Sequence, residues 1–142
     1  FGINDFNWGL DQTQSSVDLF MEYTKKTVRL MHLKKIKVYM LSYPIVEKAL
    51  ISIQKGLEKN LEFISRDDDS FMQKIGDQSM QISRENGGLS LDVERDMRKD
   101  FRLEQSNNLS SRFHQPDGVH LNDLGNESLA RSILRGLGAT RF

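Results

Sequence analysis

The feature that most narrows the fold is a long amphipathic segment running directly into a short apolar one. Val17, Phe20, Met21, Thr24, Val28 and Met31 recur at helical spacing, while Lys25, Lys26 and Arg29 take the other side. Ser15 or Ser16 is expected to cap this helix, with Asp18 in the next turn. Lys34 and Lys35 close it, where positive charge suits the C-terminal end of the helix dipole. Ile36-Lys37-Val38-Tyr39-Met40-Leu41-Ser42 begins by alternating and turns almost wholly apolar, as a strand covered on both faces does; Tyr43-Pro44 ends it. A helix followed at once by a buried strand is half of a βαβ unit, so an α/β domain with a parallel sheet is expected. Residues 1–13 then read as a functional loop at the exit of a preceding strand.

The rest of the chain is mostly helical in pattern. Val46, Leu50, Ile53, Leu57, Leu61 and Ile64 step by three or four residues, the strongest helical run, with Gly56 weakening its middle. Residues 66–70, with three consecutive aspartates, read as a solvated break. A shorter helix is expected over 71–82, with Phe71, Met72, Ile75 and Ile82 inward. Asn86-Gly87-Gly88 marks a turn. A charged helix is expected over 91–103, with Val93, Met97 and Phe101 on one side. Residues 106–111 read as polar loop. The last helix, 124–137, has Leu124, Leu129, Ile133, Leu134 and Leu137 as its apolar residues.

Composition excludes several classes of function. A chain of 142 residues with 37% hydrophobic and 28% charged residues suits one globular domain. Twenty basic residues balance 20 acidic ones, without the basic patch on which nucleic-acid affinity rests. No apolar run approaches the ~18 residues of a membrane span. The absence of cysteine removes disulfides, thiolate metal sites and cysteine catalysis, and leaves the compartment open.

Chemistry concentrates near the C-terminus, at Asp117-Gly118-Val119-His120-Leu121. An Asp and a His three residues apart, on a Pro-Asp-Gly turn before a helix, make a compact acid–base pair. The Asp binds one ring nitrogen, and the other is free to take a proton from a nucleophile. The bland alternative is a turn followed by a helix cap, since Pro-Asp-Gly is a common turn and Asn or Asp often caps a helix. At the other end stands Gly2-Ile3-Asn4-Asp5, which alone is a weak signal because all its polar residues favour turns.

Taken together and in this order, the two motifs resemble the third and last motif blocks of the SGNH (GDSL-type) hydrolases, a family of serine esterases. The likeness runs on through Leu121, Asn122, Gly125, Leu129 and Ala130 into the final helix. The resemblance implies a three-layer α/β/α, flavodoxin-like fold, incomplete in this chain. Residues 1–142 would be the C-terminal part of a single domain, with the N-terminal strands missing and a helical insertion at about 55–105. It implies His120 as general base, Asp117 as its partner, Asn4 as an oxyanion-hole donor, and Gly2 and Asp5 as framework of the same loop. Trp8 would wall a pocket or pack beneath the loop. The family's Gly-Asp-Ser nucleophile block is absent, so the serine is expected from a complementary N-terminal segment or chain. The activity would be serine ester hydrolysis of carboxylic-ester or deacetylase type, with no cofactor and no metal. The competing expectation is a non-catalytic SGNH-like binding or scaffold module of a larger protein.

Other residues carry less. Gly76-Asp77-Gln78-Ser79 echoes the missing block, but Gln holds the serine's place and no apolar strand precedes it. Asp67, Asp68 and Asp69 read as solvated carboxylates, since a metal cage needs spaced ligands. His114 reads as a surface histidine near the site edge, and His32 as a residue serving a helix end.

Overall fold

The computed structural model describes residues 14–45, 68–118 and 120–139. Among these, four helices and a small two-stranded parallel sheet make a mixed α/β arrangement. In chain order they are α1 (Gln14–Leu33), β1 (Tyr39–Leu41), α2 (Asp68–Glu85), β2 (Leu89–Leu91), α3 (Val93–Asn107) and α4 (Asp123–Gly136). The loop expected at 1–13 and the helical run of 46–64 lie outside the described residues.

Helix α1 begins at Gln14, so Ser15 and Ser16 fall inside its first turn rather than at its cap. Its buried residues Val17 and Val28 lie on the face expected from their spacing. The helix ends with Lys35 N–H bonded to the His32 carbonyl and Ile36 N–H to the Met31 carbonyl, 2.9 Å each. This paired closure needs a left-handed residue, and Lys35 supplies it at φ 58°. Helix α2 closes in the same way, with Gly87 in that position at φ 87°.

Strand β1 is shorter than the apolar run 36–42. It pairs with β2 in parallel, Tyr39 opposite Leu89 and Leu41 opposite Leu91. Strand β2 was not expected: Leu91 belongs to it, not to the following helix. The helix starts two residues later because Asp92 caps it, its carboxylate accepting from the Arg95 N–H at 3.2 Å. Within 55–105, where the sequence suggests a helical insertion, the described part from Asp68 onward therefore includes a strand paired with β1. Helix α2 already includes residues 68–70, inside the stretch read as a break.

Two apolar clusters hold these elements. Val17 and Ile75 join α1 to α2, with Phe20, Met21 and Tyr43 against them. Ile45, Met97 and Phe113 form the second, with Phe101, Leu121 and Leu129 around them. Phe101 meets Phe113 edge-on, ring centroids 5.2 Å apart. Helix α4 departs from the expected pattern: Leu124, Leu134 and Leu137 are exposed, and the buried positions are Gly125, Ser128 and Ser132. Small residues let α4 approach closely. Ser128 donates to the Asp100 carboxylate of α3 at 3.0 Å, and Arg135 pairs with the same group at 3.2 Å. Among the described residues, no helix is long and apolar enough to cross a membrane.

Candidate active site

The Asp117–His120 loop is built by a miniature hairpin. His114 and Leu121 form an antiparallel bridge, flanked by Gln115 N–H to the His120 carbonyl at 2.7 Å and Asn122 N–H to the Phe113 carbonyl at 3.0 Å. Pro116 and Asp117 make the turn, closed by Gly118 N–H to the Gln115 carbonyl at 2.9 Å. Gly118 sits at φ 73°, a conformation side chains disfavour. The glycine of the motif is thus a requirement of the turn.

That turn brings Asp117 and His120 together twice. One carboxylate oxygen accepts the His120 backbone N–H at 2.9 Å, and the other meets Nδ1 of the ring at 2.7 Å. An ionised carboxylate only accepts, so Nδ1 carries the proton and Nε2 of the neutral ring keeps its lone pair. The His120 side chain is 80% exposed and that of Asp117 30%. No described residue hydrogen-bonds Nε2. The pair therefore presents an oriented proton acceptor to the surface. Val119, between the two, lies outside the described residues.

Asn122 ties this loop to the helix behind it. Its side-chain oxygen caps α4 through the Gly125 N–H at 3.0 Å, and its amide donates to the carbonyls of Arg112 at 2.8 Å and His114 at 3.2 Å. Gly125 is required here, because a Cβ would overlap the Phe113 carbonyl oxygen.

His114 corrects its sequence reading. It is buried, 4% exposed, and its Nε2 donates to the carbonyl of Ile45 at 2.7 Å. This bond ties the hairpin to the chain leaving β1. No local pattern announces it, since its partner lies 69 residues away. The end of β1 is held from another direction as well. Ser42, buried, accepts the Glu94 N–H at 2.9 Å at the start of α3.

The remaining candidates divide plainly. Gly2, Asn4, Asp5 and Trp8 lie outside the described residues, so their relation to His120 is not described. Gly76 to Ser79 lie within α2, with Gly76 and Ser79 buried and the Ser79 hydroxyl against the Met21 sulfur at 3.8 Å. That segment is helix interior. His32, in the last turn of α1, has its ring packed against Gly87. Among the described residues, no three metal-binding side chains converge.

Set against models of protein families, curated proteins and solved structures, the chain finds no match.

Proposed function

We propose that this chain supplies the acid–base half of a serine ester hydrolase of SGNH type. The observation that carries the reading is the Asp117 carboxylate on Nδ1 of an exposed His120, 2.7 Å away, which fixes the tautomer a general base needs. The dyad's hairpin is bonded to Ile45, four residues beyond the end of β1. Ligand sites of parallel α/β sheets collect at that carboxyl edge.

The finer fold belongs to the same proposal. Ser90 of β2 accepts from Arg84 of α2 at 2.6 Å, while its neighbour Leu91 packs on Gly136 of α4. Successive strand residues point to opposite faces. These contacts support a reading with helices on both faces of the sheet, as in a three-layer α/β/α, flavodoxin-like domain, of which we take this chain to be the C-terminal part.

In the proposed reaction a serine from outside this chain attacks the ester carbonyl carbon while His120 Nε2 takes its hydroxyl proton. Asp117 holds the ring and stabilises the imidazolium that forms. Asn4 donates to the oxyanion. Collapse of the intermediate breaks the bond to the alkoxy oxygen, which leaves with the proton returned by His120. Water then attacks the acyl-serine, its proton again passing to Nε2, which returns it to the serine oxygen as the acyl–serine bond breaks and the acid is released. The test is labelling of the intact protein with a fluorophosphonate. The expected result is one labelled serine, with labelling lost in His120→Ala. An unlabelled, folded protein would favour a non-catalytic module instead.

A further inference from the structure

The outer side of α1 carries a second apolar pattern, half a turn around the helix from Val17 and Val28. Leu19, Tyr23, Lys26, Leu30 and Leu33 are spaced by four, three, four and three residues. That is the a/d repeat with which one helix pairs with another. The four hydrophobic members are exposed by 46%, 60%, 52% and 79% in order. A helix packed on one side normally keeps its other face polar.

We infer that this stripe is a homodimer contact, in which α1 pairs with α1 of a second copy in antiparallel orientation. Charge complementarity selects both occupant and direction. In a parallel pair, like positions meet, setting Lys26 against the partner's Lys26 in the seam and Arg29 toward the partner's Lys34. In an antiparallel pair, a positions face d positions. Centred between residues 24 and 25, that arrangement puts Leu30 on the partner's Leu19 and Tyr23 on the partner's Lys26. The flanking Glu22 then meets the partner's Arg29. The two-fold axis repeats each contact, so the stretch from Leu19 to Leu30 satisfies itself.

Lys26 is already prepared for this role. Its ammonium lies 5.7 Å from the centre of the Tyr23 ring and 2.6 Å from the Glu22 carboxylate. A single polar residue in such a seam fixes orientation at some cost in affinity. The helix is preformed on the domain, so dimerisation does not bear the cost of ordering it. The short seam falls at the small end of specific interfaces, so a weak dimer is expected, with a dissociation constant on the order of 10 µM.

Sedimentation equilibrium of the intact protein over roughly 1–200 µM, a range bracketing that constant, tests the inference. A reversible dimer is expected. Leu30→Asp abolishes it with an unchanged far-UV spectrum, since Leu30 is half exposed. Glu22→Arg and Arg29→Glu each weaken it by about 5–10-fold, because each places two like-charge contacts across the axis, and the double swap restores it to within about twofold. A monomer throughout the range overturns the inference, as does a dimer indifferent to Leu30→Asp. A double swap no tighter than either single variant overturns the antiparallel pairing.

Discussion

Replacing Asn122 with alanine tests whether one side chain locks the Asp117–His120 hairpin to α4. Alanine removes the cap on Gly125 N–H and both amide donations, to the carbonyls of Arg112 and His114. Loss of the cap costs about 1 kcal/mol. The His114 carbonyl sits in a partly buried contact and loses a donor, adding about 1 kcal/mol, while water replaces the exposed bond at Arg112 with little net change. The expected loss is therefore about 2 kcal/mol. Asn122→Ser keeps the cap and loses the donations, so it should lose about 1 kcal/mol. Asn122→Asp is the discriminating variant. It keeps the cap and gains from the helix dipole, but turns a carboxylate on two carbonyl oxygens, and should still fall below the wild type by about 1 kcal/mol. Urea unfolding followed by circular dichroism, with the denaturant slope unchanged, gives these differences. An aspartate variant as stable as the wild type, or an alanine variant within about 0.5 kcal/mol of it, would show that the amide bonds hold nothing.

Three further outcomes follow from local geometry and from the proposed chemistry. Lys35→Gly relieves a left-handed residue at the end of α1 and should stabilise the protein by about 0.5–1 kcal/mol in the same unfolding experiment. Gly125→Ala should destabilise by about 1–3 kcal/mol, because its methyl meets the Phe113 backbone and neither a rotamer change nor solvent exposure avoids it. Asn4→Gly and Asn4→Asp should each lower kcat by ~10²–10³ with little change in KM or melting temperature, the glycine by removing the oxyanion donor and the aspartate by opposing the charge; a glycine variant at the wild-type rate leaves Asn4 a turn residue only.

The parts legible in the sequence are those whose causes are local. The face of α1 follows from helical periodicity, and β1 from an apolar run that ends before a proline. The Asp117–His120 contact spans three residues across a turn that Pro116 and Gly118 dictate. Strand β2 escapes because three residues between Gly88 and Asp92 are too few to show a period. Its identity comes from pairing with β1. Leu124 and Leu134 of α4 mislead because hydropathy registers apolar size, whereas the close packing of Gly125, Ser128 and Ser132 depends on how near the neighbouring backbone stands. The burial of His114 depends on Ile45, and no neighbouring residue signals it.

The most direct test of the account is the rate at which the protein, together with the serine-bearing segment proposed above, hydrolyses a simple aryl ester when His120 is replaced by alanine. The ring is largely exposed, so the variant should keep its fold and melting temperature. The account predicts a fall in kcat of roughly a thousandfold or more. A folded His120→Ala protein that retains most of the wild-type rate would contradict it.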